Sequence, residues 1–238
     1  MSGTFKHKNV WYNIFMPRAP RTDVAGEIYH LINRANARLP IFHNDDDYLL
    51  FESLLWEAKE LIGIDILAYC LMPNHWHLVL APERDGDISI FMHWLTLAHT
   101  QRYHAIHKTT GYGHIYQGRY KSFIVQQDIY LLQLIRYVER NALRAKLVTK
   151  AEGWRWSSLW RKTYGTINQK KIISSLPIEL PGNYLAWINQ REIEETLTDL
   201  RRSVNRGVPY GREDWVGGKV DVYKLGVTVN ERGRPKRC

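Results

Sequence analysis

Two histidines lie two residues apart in a segment that otherwise reads as a buried strand. The segment HWHLVL, residues 75–80, is apolar except for His75 and His77. Because alternate side chains of a strand share a face, the two imidazoles project from one side, about 6.5 Å apart along the strand. Two imidazoles at this spacing can bind one metal ion when a third ligand comes from another element. A surface pair, or a pair packed against aromatic rings, is the alternative interpretation.

A later segment supplies side chains that can complete such a site. Tyr137 and Asn141 are one helical turn apart, so they share one face of a predicted helix. Asn141 can be the third metal ligand, and Tyr137 can be a nucleophile beside the ion. A tyrosine that only covers the edge of the sheet is the alternative. The apolar stripe that predicts the helix consists of Leu131, Leu134, Ile135, Val138 and Ala142.

Two other tyrosines are weaker candidates for the nucleophile. Tyr120 lies in GRYKS between Arg119 and Lys121, whose charges would lower the pKa of its phenol. These neighbours suit phosphates better, because on a strand Arg119 and Lys121 share a face that can grip a DNA backbone. An ordinary basic strand edge would look the same. Tyr103 has less support still, and Tyr137 is favoured because it alone has a ligand-like residue one turn away.

The elements that position these residues alternate between strands and helices. Asn44 or Asp45 would begin the first helix, Gly63 would end it, and Asp128 would begin the last. This alternation is typical of an α+β domain with a largely antiparallel sheet. The predicted order is strand 26–42, helix 44–62, strands 64–72 and 75–81, helix 89–107, strand 115–126 and helix 129–146.

The composition indicates an anionic partner. The 238 residues carry a net charge of +9, with nine tryptophans and fourteen tyrosines, a combination that suits phosphates and exposed bases. Residues 88–127 contain no Asp or Glu but hold five histidines and four lysines or arginines. Cys70 and Cys238 cannot form a disulfide framework, which favours a reducing, cytoplasmic setting. No apolar run approaches the ~20 residues that would span a membrane.

Three regions are predicted along the chain. Residues 1–21 form a basic arm, residues 22–165 hold the candidate catalytic residues, and residues 166–238 form an extension. The extension begins with a linker, continues with a helix over residues 191–207, and ends in a Gly-rich basic segment. We expect this last segment to add affinity for nucleic acid rather than a large core of its own.

Further residues are candidates for holding single strands or hairpins by stacking and charge. Trp154, Trp156 and Trp160 can stack on bases, although tryptophans at such positions also pack in cores. The segment RGRP, residues 232–235, matches the core of an AT-hook, which lies in a narrow minor groove, or is simply part of a basic tail. The predicted DNA-binding residues are Arg18, Arg21, Asn33, Arg34, Arg119, Tyr120, Lys121, Arg232 and Arg234.

Taken together, these motifs resemble the single-tyrosine HUH transposases, and most of all the REP-associated tyrosine transposases. The resemblance runs from residue 19 to about residue 164. The family usually continues from the metal-binding asparagine with Pro-Val-Arg, whereas this chain has Ala-Leu-Arg, which keeps the helix intact and should change the chemistry little. The segments that carry the resemblance are YHLINRANAR, DDDYLLF, YCLMPNHWHLVL, YQGRYKSFIVQ, RYVERNALRAKLV and WRWSSLW.

The resemblance implies both a fold and a reaction. The fold would be the ferredoxin-like HUH endonuclease fold, an antiparallel sheet with packed helices, followed by a basic and partly helical C-terminal extension. Tyr137 would cleave single-stranded DNA next to REP-like hairpins, leaving a 5′-phosphotyrosine and a free 3′-OH. His75, His77 and Asn141 would hold Mg²⁺ or Mn²⁺, which the family favours, although imidazole ligands also suit zinc. The chain would act as a monomer near the nucleoid.

Two other classes of function remain open at this stage. A non-catalytic protein that binds hairpin DNA or RNA would use the two histidines only for structure. A metal-dependent phosphodiesterase would activate water rather than tyrosine and would leave no protein attached to DNA. The joint presence of the histidine pair and of Tyr137 with Asn141 favours the transposase reading over both.

Overall fold

The computed structural model describes residues 21–230, and an antiparallel sheet of four strands lies at its centre. The strands are β1 (Ile28–Arg34), β2 (Asp65–Met72), β3 (His75–Ala81) and β4 (Lys121–Val125). Their order across the sheet is β2-β3-β1-β4, and every neighbouring pair is antiparallel. The predicted α+β class, with a ferredoxin-like sheet and packed helices, is confirmed.

Ten helices accompany the sheet in this part of the chain. They are α1 (Asp45–Ile62), α2 (Asp87–Ile106), α3 (Ile129–Glu139), α4 (Asn141–Arg144), α5 (Ser158–Tyr164), α6 (Ile167–Lys170), α7 (Tyr184–Asn189), α8 (Glu194–Arg206), α9 (Glu213–Val222) and α10 (Gly226–Val229). Short 3-10 turns occur at Asn36–Arg38 and Ala151–Gly153. None of the helices within residues 21–230 is both long and apolar enough to cross a membrane.

Local sequence explains the ends of α1. The Asn44 side chain accepts a hydrogen bond of 3.1 Å from the backbone N–H of Asp47, so Asn44 rather than Asp45 caps the helix. Gly63 follows the last turn with a φ of 76°, a left-handed conformation that glycine adopts without a steric cost. The predicted glycine stop is confirmed.

The two faces of the sheet pack against different helices. On β3, Trp76, Leu78 and Leu80 belong to the core formed with α1 and α2. Val79 lies on the other face, in the core formed with α3. Since side chains alternate along a strand, His75 and His77 share the face of Val79 and therefore point towards α3. The sheet thus directs the histidine pair to the helix that carries Tyr137.

The predicted strand at residues 115–126 is much shorter in the structure. Only Lys121–Val125 is a strand, and Tyr116 makes an isolated bridge to Ala35 beyond the end of β1. The chain then loops through Gly118 before it joins the sheet. Arg119 and Tyr120 therefore precede β4, so the prediction that Arg119 and Lys121 share one strand face is wrong.

The last predicted helix is also divided. It ends at Glu139, and α4 begins at Asn141 after Arg140, whose φ and ψ of −88° and −1° depart from helical values. Asp128 does cap α3, since its side chain accepts from the N–H of Tyr130. Tyr137 and Asn141 thus lie on either side of a break in the helix.

The C-terminal extension packs more closely than its composition suggested. Tyr210 makes a parallel bridge to Val125 of β4, and Val208, Tyr210 and Leu225 are buried. Lys219 and Tyr223 both contact the carboxylate of Glu27, just before β1. The segment was expected to form no large core of its own, and residues 208–225 instead add side chains to the cores around the sheet, because long-range pairing supplies the partners that the segment lacks locally. The region boundaries at residues 21 and 165 remain predictions.

Candidate active site

The histidine pair of β3 is the centre of the candidate site. The ring centroids of His75 and His77 are 5.2 Å apart. The Nδ1 atom of His75 lies 2.7 Å from Oδ1 of Asn74, and Nδ1 of His77 lies 2.8 Å from Nε2 of His30. Each ring therefore uses Nδ1 for a neighbour in the protein, which leaves Nε2 as the atom that can bind a metal.

Burial keeps both imidazoles neutral. It lowers the pKa of His75 to about 4, with a further contribution from the positive charge of Arg34. Burial also lowers the pKa of His77 well below its usual value, and the neighbouring rings of His30 and His75 add to that effect. A neutral imidazole has a free lone pair, so the pair is in the protonation state that metal binding requires.

His30 on β1 is a part of the site that sequence reasoning missed. Its side chain is fully buried, and its Nδ1 atom has no hydrogen-bond partner among the described residues. When His77 binds a metal through Nε2, its Nδ1–H must donate to Nε2 of His30, which places the proton of His30 on that unpartnered Nδ1. A histidine inside an otherwise apolar strand was the signal in the sequence that could have identified it.

Tyr137 on α3 lies beside the histidine pair. Its ring centroid is 6.0 Å from that of His77, and only 7% of the residue is exposed. Burial raises the pKa of its phenol, while the guanidinium of Arg144 opposes that shift. The structure therefore brings together His75, His77 and Tyr137, three of the four residues predicted for the reaction.

Asn141 is the fourth, and its side chain is held within its own helical segment. Its Oδ1 accepts a hydrogen bond of 2.8 Å from Arg144, and its Nδ2 donates to the carbonyl of Val138 at 3.2 Å. The residue is buried at the start of α4. An amide oxygen has two lone pairs, so the bond from Arg144 leaves one for a cation. Its role as a metal ligand stays a prediction.

Arg144 is a second residue that sequence reasoning did not assign. Its guanidinium carbon lies 4.2 Å from the centre of the Tyr137 ring, within the range of a cation–π contact. It also donates to the backbone carbonyl of Tyr137 at 2.9 Å. One positive side chain thus contacts both the candidate nucleophile and Asn141. Its position three residues after Asn141 was visible in the sequence, but its contacts were not.

A basic groove lies next to this site. Its volume is about 590 Å³, and residues of the C-terminal extension, such as Arg206 and Gly207, form its opposite wall. Arg34 at its rim pairs across the strands with His75, so the groove adjoins the histidine pair. The lining includes six residues predicted to bind DNA, which are Arg21, Asn33, Arg34, Arg119, Tyr120 and Lys121.

Contacts inside the groove fix the position of Tyr120. The guanidinium of Arg21 lies 4.0 Å from the centre of the Tyr120 ring and donates to its backbone carbonyl at 2.8 Å. Asn33 donates to the carbonyl of Gly118 at 3.3 Å.

Tyr103, the weakest candidate for the nucleophile, lies on α2 outside the groove, where its hydroxyl is 3.0 Å from Nε2 of His43.

The remaining predicted contacts fall into two groups. Arg18, Arg232 and Arg234 lie outside the described residues. The tryptophans pack rather than line the groove: Trp156 stacks on Tyr48 with ring centroids 4.6 Å apart, and Trp154 donates to the carbonyl of Leu71. Trp160 is half-buried beneath the guanidinium of Arg155.

The residues present fit a metal ion only with help from other ligands. Within residues 21–230, no group of three or more His, Cys, Asp or Glu side chains is arranged to hold one. The two free Nε2 atoms and an amide oxygen form an incomplete set, which phosphate oxygens of a substrate can extend. Such a mixture of nitrogen and oxygen ligands is compatible with Mg²⁺, Mn²⁺ or zinc.

Comparison with known proteins assigns the family. Residues 23–141, half of the chain, match the family model of IS200-like transposases. The chain therefore belongs to the IS200-like transposase family, as the sequence motifs predicted. No curated protein is similar to it in sequence.

One solved structure has the same fold. The chain is similar to a REP-associated tyrosine transposase bound to a REP hairpin, with 15% identity and a TM-score of 0.53. That match covers 75% of this chain and 99% of the other. A putative transposase from Deinococcus radiodurans is 20% identical over 58% of this chain and 97% of its own, with a TM-score of 0.37. The first likeness supports the fold, and at such identities it supports the fold alone.

Proposed function

We propose that this transposase cleaves and rejoins single-stranded DNA beside hairpins, with Tyr137 as the nucleophile. The observation that carries the proposal is the position of the Tyr137 ring, 6.0 Å from His77 and therefore beside two neutral imidazoles. A phenol is a weak nucleophile at neutral pH, so it needs a site that stabilises the charge of the phosphate it attacks.

In the proposed reaction, the phenol oxygen of Tyr137 forms a bond to phosphorus while the bond from phosphorus to the 3′ oxygen breaks. The phenol proton passes to water, and the departing 3′ oxygen takes up a proton. The product is a 5′-phosphotyrosine and a free 3′-OH. Because one phosphoester replaces another, a 3′-OH can later reverse the step and join a new strand without ATP.

The side chains around Tyr137 have distinct parts in this proposal. His75 and His77, with Asn141, would hold Mg²⁺ or Mn²⁺, and the ion would supply Lewis acidity towards a phosphate oxygen and positive charge in the transition state. Arg144 holds a positive charge over the Tyr137 ring and donates to the backbone carbonyl of Tyr137, so it orients that residue. Burial of Tyr137 and His77 limits water at the reacting atoms, which strengthens these interactions.

We propose that the basic groove binds the DNA strand that leads to the scissile phosphate. Arg21, Arg34, Arg119 and Lys121 contribute positive charge to the groove, whereas the Tyr120 ring is buried beneath Arg21 and supports that charge from below. Positive charge along a groove holds the backbone of single strands without regard to sequence. The similar transposase was solved with a REP hairpin, which favours hairpin DNA as the partner. Arg18, Arg232 and Arg234 would add contacts to the DNA backbone, and the chain would act as a monomer.

The test is a covalent adduct with hairpin DNA. The full chain is incubated with a labelled single-stranded hairpin and Mn²⁺ and is then separated on a denaturing gel. We expect a protein–DNA adduct that Tyr137→Phe abolishes while hairpin binding persists. Tyr120→Phe is the control, and it should retain the adduct. Peptide mapping of the adduct to Tyr120 would transfer the nucleophile there.

The same assay separates the alternatives. A protein that only binds hairpins would shift the DNA on a native gel but form no adduct under any condition. A phosphodiesterase that uses water would release 5′-phosphate ends without attached protein. The metal is tested with EDTA and with His77→Ala, either of which should stop cleavage. Undiminished cleavage in EDTA would exclude the proposed use of a metal.

A further inference from the structure

Three arginines face the C-terminal extension: one on α3, one between α3 and α4, and one at the end of α4. Arg136, Arg140 and Arg144 are four residues apart in turn, so they lie along one side of α3 and α4. Arg136 lies over the ring of Trp187 at 4.4 Å and donates to the carbonyl of Gln190 at 2.6 Å. The segment that they contact, residues 187–192, lies some fifty residues later in the chain and outside the part that matches the family model.

Glu192 ends this segment as a buried carboxylate between two of the arginines. Only 6% of its side chain is exposed. It accepts from Nε of Arg140 at 3.1 Å and from a terminal nitrogen of Arg144 at 2.8 Å. Arg140 also donates to the carbonyl of Ile188, which fixes the segment on a second point. A carboxylate buried in this way is stable only while its partners remain in place.

Arg144 connects Glu192 to the reaction centre. One of its terminal nitrogens contacts Glu192, and the other donates to Oδ1 of Asn141 and to the carbonyl of Tyr137. Its guanidinium plane also covers the Tyr137 ring. The planar, forked guanidinium therefore transmits the position of the carboxylate to both residues.

Charge explains why Glu192 is needed for that arrangement. Without its negative charge, the guanidiniums of Arg140 and Arg144 would repel each other across a poorly solvated space. Arg144 has the more exposed side chain, 23% against 9% for Arg140, so it is the one free to move out. Its departure would release Oδ1 of Asn141 and uncover the ring of Tyr137.

We infer that Glu192 is a positioning residue for strand cleavage: it holds Arg144 over Tyr137 and on Asn141, so that the C-terminal extension sets the geometry of the reaction centre. The inference rests on the proposed function of Tyr137. Residues 23–141, which match the family model, therefore depend on Glu192 from a later segment for the geometry of the reaction centre.

The test compares Glu192→Gln with Glu195→Gln in the full chain. Both remove one carboxylate, but Glu195 is exposed on α8. Adduct formation is measured in single turnover at saturating hairpin and Mn²⁺, and hairpin affinity is measured separately in a Tyr137→Phe background. We expect Glu192→Gln to slow adduct formation by roughly 10- to 100-fold, the usual cost of a misplaced reacting group, with hairpin affinity within about twofold. Glu195→Gln should match the unaltered chain in both.

A double variant tests the route through Arg144. If Glu192 acts by holding Arg144, then Arg144→Lys and Glu192→Gln combined should slow the reaction little more than Arg144→Lys alone. Losses that multiply would show that Glu192 acts elsewhere and would overturn the inference. An unchanged rate in Glu192→Gln, or a loss of rate matched by a loss of hairpin binding in the folded variant, would overturn it as well.

A second variant and a second readout keep the test decisive. If Glu192→Gln fails to fold, Glu192→Asp keeps the charge but shortens the side chain; it should fold and still react slowly, and a normal rate would refute the inference. The side-chain amide signal of Asn141 in an NMR spectrum, assigned by its loss in Asn141→Asp, should shift in Glu192→Gln and not in Glu195→Gln. This signal reports whether Glu192 positions Arg144 and Asn141 even if the unaltered chain forms no adduct. The absence of an adduct would refute only the proposed function.

Discussion

The outer strands of the sheet, β2 and β4, both form backbone hydrogen bonds with later parts of the chain. Among the described residues, these bonds occur near both ends of β2, which is called the sealed edge, but only near one end of β4, which is called the open edge. Along β2, the backbone N–H of Leu71 donates to the carbonyl of Trp156, and the N–H of Ser174 donates to the carbonyl of Ile66. At β4, the extension bonds only near the end of the strand, where the N–H of Tyr210 donates to the carbonyl of Ile124. The start of β4, at Lys121, borders the basic groove instead.

The polar groups at these edges differ in the same way. At the sealed edge, Glu52 is buried and bonded to the Tyr69 hydroxyl and to Arg161, so its charge is satisfied within the protein. At the open edge, Arg119 is exposed beside the groove, and no Asp or Glu among residues 21–230 lines that groove. Unpaired strand edges attract other chains, and positive charge prevents this. That same charge suits DNA, so one edge serves stability, and the other binds DNA in the proposed function.

The largest effect is expected at the sealed edge. Replacing Glu52 with alanine should lower the free energy of unfolding by about 3–5 kcal/mol, because it leaves the buried guanidinium of Arg161 without its partner. Urea denaturation measures this. Glu57→Ala on the same helix is the control, since Glu57 pairs with Arg102 in solvent and should cost less than about 1 kcal/mol. Equal losses for the two variants would mean that this edge is not held by its buried charges.

A second prediction concerns the middle of the sheet, between the two edges. His30→Asn removes the ring whose nitrogen fixes Nδ1 of His77, so Mn²⁺ affinity should fall by roughly 10- to 100-fold. Calorimetry on the full chain measures that affinity. His99→Asn is the matched control, because His99 is equally buried but bonds to the hydroxyl of Tyr116. Equal affinities in the two variants would contradict a role for His30 in metal binding.

Acid should lower the free energy of unfolding through His99, which is buried on α2 in the core between the sheet, α1 and α2. Burial lowers the pKa of His99 to about 3, whereas the unfolded chain takes up this proton near pH 6.5. The stabilisation is therefore complete above about pH 6.5 and is lost as pH falls towards 3, by up to ~1.4 kcal/mol for each pH unit. Urea unfolding at pH 7.5, 6.5 and 5.5 measures the slope. His99→Gln should reduce the slope by that share, while the lowered pKa values of His30, His75 and His77 maintain the rest. Replacement of the exposed His93 should leave the slope unchanged, and identical slopes in the two variants would refute the assignment.

The smallest effect is expected at the open edge. Arg119→Ala should weaken hairpin binding several-fold at low salt and reduce the log–log dependence on salt by about 0.7–0.9, the share of one phosphate contact. The midpoint of unfolding should not change, since Arg119 is exposed. Lys150→Ala, an exposed charge outside the groove, is the control. A salt dependence unaltered by Arg119→Ala would show that DNA does not follow this edge.

The sequence predicted the parts of this comparison that depend on local pattern. Strand alternation placed His75 and His77 on one face, and helical spacing placed Tyr137 one turn from Asn141. Asn44 and Gly63 marked the ends of α1 because capping needs only neighbouring residues. These features follow from interactions within a few residues, which a single sequence displays directly.

The parts that the sequence did not predict depend on distant partners. Glu192 reaches Arg140 and Arg144 across about fifty residues, and Tyr210 joins the sheet only because β4 offers an edge. His30 was visible as a histidine within a strand, but its bond to His77 follows only from the pairing of β1 with β3. The misassigned strand at Arg119 and Tyr120 has the same origin, since the bridge of Tyr116 to Ala35 turns the chain away before β4.

Because Tyr210 is synthesised late, the order of synthesis affects when a new chain can react with DNA. Arg206 and Gly207, which line the groove, and Glu192, which holds Arg144, all lie beyond residue 187. Tyr137 and the histidines are synthesised earlier. At ~5–20 residues per second, roughly 4–15 s pass between the synthesis of Tyr137 and that of Tyr210. During that interval a chain still on the ribosome lacks Glu192 and the part of the groove lining that Arg206 and Gly207 form. If Tyr137 acts as proposed, chains halted on the ribosome before residue 187 should form the adduct no faster than Glu192→Gln does.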